Sequence, residues 1–359
     1  MRYKYLSAIF VLFITITLYQ EDKASTEDIG YIDTHTHLNG RYRTGRGVFL
    51  MDYEGAARNL INKMDKLGIE KTIIMPPPQK PGQKVSYDYR TLIGAVEAFP
   101  TRLVFGGGGG ILNPMIQGYP PLQATASIKT EFRRKAEEIA RSGAKCFGEM
   151  TALHLSFRDD HVFEEVSPDH PLFLLLADIA SENNIPIDIH MEAVKQDMPM
   201  PQKLSMISKN NPPILKENIN AFRNLLDHNK NTKIVWQHIG WDNTGHMTVQ
   251  LLRTLLENHN NLYLSIRLAT IPPEIPEHLI PQTRIVDKNW KIKPEWLKLM
   301  YDFPERFMVG ADEFIGVSPV RRHKSQSFEE TWQVIDKELP EDLRRKIGHH
   351  NAARVYNLK

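Results

Sequence analysis

From Tyr31 onward the chain alternates two kinds of segment. Short runs of β-branched and apolar residues give way to longer stretches in which apolar positions recur every three to four residues, the pattern of strands that each feed a helix. Eight strand-like runs can be counted, at 31–35, 71–75, 103–106, 144–149, 185–190, 233–238, 261–267 and 307–312. Between them the helix signals are local and physical. Asp52 is placed to cap a helix in which Ala57, Leu60, Ile61, Met64 and Leu67 share one face, and Gly68 is placed to end it. Further helices are predicted at 87–99 before Pro100, 128–142 before Gly143, 172–184, 219–228, 247–258 and 294–301, the last with Pro294 in its first turn. Helices at 331–339 and 341–356 close the chain. Eight successive βα units predict an α/β protein, and specifically a (β/α)8 TIM barrel formed as a single domain over 25–359.

Three connections interrupt this rhythm, at 76–86, 198–213 and 271–294, all long and rich in Pro. Each follows the C-terminal end of a strand, where a barrel carries its active-site loops, and is expected to act as a lid or to set substrate specificity. The glycine run 106–110 has neither the Lys-Ser/Thr of a P-loop nor the spacing of a dinucleotide fingerprint, so it predicts close backbone approach and not a phosphate cradle.

The start of the chain departs from the pattern. Arg2 and Lys4 precede an apolar stretch at 6–19, and a polar stretch follows at 20–30. Residues 1–24 therefore read as a signal peptide or, uncleaved, as an N-terminal membrane anchor, with a periplasmic or secreted location expected. The chain as a whole is 41% hydrophobic and 25% charged, which suffices for a sizeable core. A net charge of +2 without basic clusters gives no basis for a nucleic-acid partner, so a small-molecule substrate is expected. The single cysteine, Cys146, excludes an intrachain disulfide and a Cys-rich zinc site, and is expected as a small buried strand residue.

The candidate chemistry gathers at strand ends. With 14 His in the chain a His-x-His pair arises by chance about 0.5 times. Position gives the pair its weight: Asp33, His35 and His37 lie at the end of the first strand, and period-2 alternation sends all three to one face and Thr34 and Thr36 to the other. Imidazole and carboxylate groups so spaced can converge on one ion. Glu149, His190, His238 and Asp312 then stand at the ends of strands four, five, six and eight. Arg267, ending strand seven, could grip an anionic substrate group bidentately or serve in an ion pair. His154, Trp241, Asp242 and His246 are expected to line the mouth, with Glu313, Arg321 and Arg322 in the loop after strand eight. His228 and His259 sit near helix ends, where solvation or the helix dipole accounts for them.

Taken together, Asp33-x-His35-x-His37, Gly148-Glu149, His190, His238-Ile239-Gly240, Gly310-Ala311-Asp312 and the closing Asn351-Ala352-Ala353-Arg354 resemble the amidohydrolase superfamily in its amidohydrolase-2 branch, with a TatD-like hint, from Tyr31 to the last residue. The resemblance implies that His35, His37 and Asp312 bind a first divalent ion, zinc or manganese, and that His190 and His238 bind a second ion or hold substrate. Glu149 takes the bridging position, Lys145 belongs to the barrel floor, and Asp33 orients its neighbours. It further implies a hydrolase of an ester, lactone, amide or phosphoester, in which one or two ions acidify water, Asp312 takes its proton and His238 donates to the electrophile's oxygen. The same branch also resembles metal-dependent non-oxidative decarboxylases that need one ion; Glu149 and the leader favour hydrolysis. A non-catalytic binding protein on the same scaffold is a third reading.

Overall fold

The first βα unit shows how local signals become architecture. Strand β1 (Tyr31–Asn39) leads into helix α1 (Tyr53–Leu67). The Asp52 side chain accepts from Gly55 N at 2.6 Å, and Gly68, left-handed at φ 65°, returns its N–H to Met64 O. Ala56, Ala57, Leu60 and Met64 turn inward, and β2 (Ile69–Ile74) begins at once. A computed structural model describes residues 30–45, 47–83, 87–268, 281–317 and 327–358. The leader at 1–24, Arg321, Arg322, and the parts of the long connections at 84–86 and 271–280 lie outside the described residues. No helix among the described residues is long and apolar enough to cross a membrane.

The unit repeats as α2 (Tyr89–Ala98), β3 (Leu103–Phe105), α3 (Ala126–Arg141), β4 (Phe147–His154), α4 (Pro171–Asn183), β5 (Ile187–Met191), α5 (Ile219–His228), β6 (Ile234–Ile239), α6 (Val249–Asn258), β7 (Leu262–Ile266), α7 (Pro294–Asp302), β8 (Phe307–Val309) and α8 (Ser327–Glu338). All eight strands expected from the sequence are present and pair in parallel with their successors, apart from two seams. β1, β2 and β3 form one sheet with the short strand Glu313–Gly316 at its edge, and β4 to β8 form a second with Gly107–Gly108. The result is an α/β fold on two parallel sheets. At the first seam the chain passes from one sheet to the other at Gly106, whose N–H bonds Ile74 O at 2.9 Å, while Lys145 N bonds Phe105 O at 2.8 Å. At the second seam Asp312 N donates to His35 O at 2.7 Å and Thr34 Oγ1 to Val309 O at 3.0 Å.

The glycine run at the first seam is there for space. A Cβ on Gly106 would lie 2.5 Å from Cys146 Sγ, and one on Gly110 would lie 2.1 Å from Tyr87 O. Cys146 is fully buried, as expected, but lies one position before the strand Phe147–His154 and not within it. A second apolar cluster joins Ile32, Ile73, Met75, Val235 and Met308 of the strands to Ala352, Val355 and Tyr356 of the closing helix, and Tyr356 Oη donates to Asp188 Oδ1 on β5 at 2.8 Å. The helix expected over 341–356 is present but not uniform: Glu341–Arg345 and Asn351–Val355 flank a π-helical turn, Lys346–His350. Two features in the long connections had no clear periodic signal. Met198–Pro199 pairs with Ile214–Leu215, and between them lies the short helix Gln202–Ile207.

Candidate metal centre

Six side chains meet on the strands and on the turn after the last of them. His35 and His37 come from β1, Glu149 from β4, His190 from β5, His238 from β6, and Asp312 from the turn after β8. His35 Nε2 and His37 Nε2 stand 3.1 Å apart; Glu149 Oε2 is 3.5 and 3.3 Å from them, and Asp312 Oδ1 is 3.7 and 3.3 Å away. A tetrahedral ion with ligands at 2.0–2.1 Å separates those ligands by about 3.3 Å. Five edges of that tetrahedron are thus set by the protein. The other oxygen of Glu149 faces elsewhere, accepting from His190 Nδ1 at 2.7 Å and His238 Nε2 at 3.0 Å. His35, His37 and Asp312, and separately His35, Glu149 and His238, form groups whose donor atoms lie within 4.8 Å of one another and could hold a metal ion.

Two of these residues are held in strained backbone. His238 at φ 63° and Asp312 at φ 50° are left-handed without being glycine, which costs each on the order of 1–3 kcal/mol. The Asp312 N–H bond to His35 O ties that strained turn to the strand carrying the histidines.

The electrostatics call for positive charge at this point. Burial opposes a charge on His37, yet its contacts with Asp312 and Glu149 outweigh that and push it up to about 10. Burial also works against the Glu149 carboxylate, but His35, His190 and His238 hold it well below the usual range. His238 is pushed down to about 3 by burial and the neighbouring His190. Asp312, despite burial, is kept far below the carboxylate range by Arg267 and His238. His35 Nδ1 and His238 Nδ1 are buried without a hydrogen-bond partner. Inward-facing nitrogens and carboxylate oxygens suit a divalent ion such as zinc or manganese, so the residues present fit the group.

Asp33 does not join this cluster. Its Oδ1 accepts from His35 N and Thr36 Oγ1, and its Oδ2 from Ala311 N at 3.0 Å and Trp332 Nε1 at 2.9 Å. Strict alternation had put its side chain beside the histidines. The ladder between β1 and β2 shifts register between Asp33 and Thr36, which breaks the period of two. Asp33 instead joins β1 to the turn after β8 and to α8.

Around the cluster, Arg267 Nη1 reaches Asp312 Oδ2 at 2.7 Å, so the guanidinium is in an ion pair, while its buried Nε has no hydrogen-bond partner. Its Cζ lies 3.9 Å from the centre of the Trp241 ring. His154, at the end of β4, sits tilted against His190 at 4.7 Å and edge-on to His161 at 4.6 Å, and burial pushes it down to about 3. Asp242 and His246 serve the loop itself: Asp242 accepts from the N–H groups of Thr244, Gly245 and Met247, and His246 Nδ1 from Lys195 N. Glu313 turns to Lys63 and Phe328 N. His228 and His259 pair with Asp178 and Asp227 on the helical side.

Several neighbours had no usable sequence signal. Phe314 stacks its exposed ring 4.5 Å from His37. Glu164 is buried with both oxygens unpartnered and is pushed up to about 7 by burial. Glu192, also pushed up to about 7 by burial, accepts from Asn243. Glu192 is the one that a strict period of two beyond His190 could have found. Arg284 and Lys203, both buried, complete the surroundings.

The chain belongs to the amidohydrolase family, whose model matches residues 133–358. Similar solved structures include a protein of Acinetobacter baumannii named for 2-pyrone-4,6-dicarboxylic acid hydrolysis, with citric acid bound, at 12% identity and a TM-score of 0.48 over 91% of this chain and 99% of that one. A dihydroxybenzoic acid decarboxylase of a Polaromonas species, with manganese and 2-nitroresorcinol, is 14% identical with a TM-score of 0.48 over 92% and 97%. A 5-carboxyvanillate decarboxylase of Novosphingobium aromaticivorans, complexed with manganese, is 15% identical with a TM-score of 0.46 over 92% and 96%. The TatD-like hint finds no counterpart in these matches. No curated protein matches the chain.

Proposed function

We propose that this member of the amidohydrolase family is a divalent-metal-dependent hydrolase that adds water across an ester, lactone, amide or phosphoester bond of a small molecule, on eight strands closed as a (β/α)8 barrel. The observation that carries the reading is the division of Glu149: Oε2 faces His35 and His37 while Oε1 faces His190 and His238. A carboxylate shared between two imidazole pairs suits two ions with Glu149 between them. His35, His37 and Asp312 would hold the first, and His190 and His238 the second. Ions held there would acidify water towards a pKa of about 7 and polarise the oxygen of the bond under attack.

The remaining work falls to the side chains. Asp312, kept ionised by Arg267, accepts the proton of the attacking water and passes it to the leaving group. His238 Nδ1, buried, unpartnered and 3.5 Å from Asp312 Oδ2, is the polar atom placed to hydrogen-bond the substrate oxygen as charge develops. Trp241 provides a wall, Arg267 Nε a spare donor, and neutral His154 a neighbour to His190. Residues 1–24 are read as an export signal or anchor, which N-terminal sequencing of the mature protein tests directly.

Metal analysis of the purified, metal-supplemented chain is the decisive measurement for the reaction. Two ions per chain support the hydrolase. One ion favours a decarboxylase of the same family, and none overturns both metal mechanisms.

A further inference from the structure

Two cations near the Trp241 loop, Arg284 and Lys203, are in no ion pair with any described residue. Arg284 is only 6% exposed and Lys203 only 8%. A guanidinium carries five N–H donors. Of these, only Nε of Arg284 has a partner among the described residues, Asp242 O at a long 3.4 Å. Lys203 makes no hydrogen bond or ion pair with any described residue. Neighbouring carboxylates do not meet the need. Asp242 is spent on Thr244, Gly245, Met247 and Thr283, and Glu192 Oε1 accepts from Asn243, with neither at ion-pair distance from Arg284 or Lys203. Neither Lys203 Nζ nor a terminal nitrogen of Arg284 is among the buried unpartnered atoms, so each side chain is packed along its length while its charged end stays open to a ligand. Burial pushes Arg284 down to about 10, and burial together with Arg284 pushes Lys203 down to about 8, the response of cations short of a partner.

Their position links them to the chemistry. The Arg284 Cζ lies 5.5 Å from the centre of the Trp241 ring, the same ring that Arg267 covers at 3.9 Å. Arg267 is tied to Asp312, whereas Arg284 is in no ion pair with a described residue. Trp241 therefore separates a cation committed to the centre from a cation pair available to a ligand. We propose that Arg284 and Lys203 form an anion subsite beside Trp241, and that the substrate carries a carboxylate or phosphate remote from the bond that is cleaved. The statement about substrate rests on the hydrolase reading; the subsite itself does not.

The test is calorimetric titration of the full-length, chelator-treated protein with succinate and, separately, inorganic phosphate. Saturable binding is expected for at least one probe, and the tighter of the two assigns the anion as carboxylate or phosphate. K203M and R284M should each weaken it at least tenfold, while R223M on the surface of α5 should leave it unchanged. Should R284M fail to fold, acetylation of Lys203 by acetic anhydride, slowed by the bound probe, reads the same site in the unmutated chain. No saturable binding of either probe, or wild-type affinity in K203M, overturns the subsite. E149Q separates the two readings: it should lose metal yet bind the probe as wild type does. Loss of metal without loss of probe leaves the subsite standing, and retained metal with unaltered probe binding in K203M removes the subsite alone.

Discussion

Asp312 answers to several partners at once: its Oδ1 faces His35 and His37, its Oδ2 takes Arg267, and its N–H bonds the strand that carries the histidines. Removing its charge is therefore not a purely chemical change. Asp312→Asn leaves Arg267 nearly buried without a counter-charge, which should cost about 3 kcal/mol in urea unfolding. It should also abolish turnover of any substrate found. Adding Arg267→Met should return much of the lost stability but none of the turnover, and a double-mutant cycle measures the coupling. Wild-type stability in Asp312→Asn would show that the pair does not hold the turn. Gly310 makes the opposite kind of demand, since a Cβ there would stand 2.7 Å from His35 Cβ and 2.6 Å from Ser265 Oγ. Gly310→Ala should displace His35, seen as weaker metal binding together with a lower melting temperature.

At the scale of elements, helix ends were the most legible part of the chain because their signals are chemical and local. Asp52 and Gly68 cap α1 at the predicted places. Asp52→Ala should cost about 1 kcal/mol, measured by urea unfolding, without touching metal content. Strand order and the positions of His35, His37, Glu149, His190, His238 and Asp312 were legible too, because successive strands share one pattern and their ends share one location. What stayed hidden depends on proximity that no local pattern encodes. Strand β4 runs past Glu149 to His154, so Glu149 lies within it and not at its end. Glu164 looks like half of a solvated acidic pair, yet it is buried by antiparallel pairing with His154. Lys203 belongs to a helix too short to show periodicity, and Arg284 to a Pro-rich connection. Period-2 reasoning misplaced Asp33 because one register shift is enough to undo it.

For the whole molecule, stability should carry a pH signature from Glu164. Its folded value of about 7 exceeds the unfolded value of about 4.3. The protonated form thus contributes stability that is fully present below about pH 4.3 and is lost as pH rises through about 7. Urea unfolding of wild type and Glu164→Gln between pH 5 and pH 8 should show the wild type losing ground to the variant, by on the order of 3 kcal/mol at most. A difference that does not change with pH would place Glu164 in water. A chelator offers a second global probe. Any ion bound only by the native state stabilises it by about 2.7 kcal/mol at a hundredfold excess over its dissociation constant, so chelation should lower the melting temperature of the wild type and leave E149Q unmoved.

The second seam also sets an order of events during biosynthesis. Asp33 and Ala311, joined there by a hydrogen bond, are 278 positions apart along the chain. His35 and His37 therefore leave the ribosome well before Asp312, so a nascent chain carries the two imidazoles before the turn that faces them has been made. A translation product interrupted before Asp312 would lack one member of the His35, His37 and Asp312 group while keeping every residue of the His35, Glu149 and His238 group, so the two candidate ion sites would be completed at different moments of synthesis.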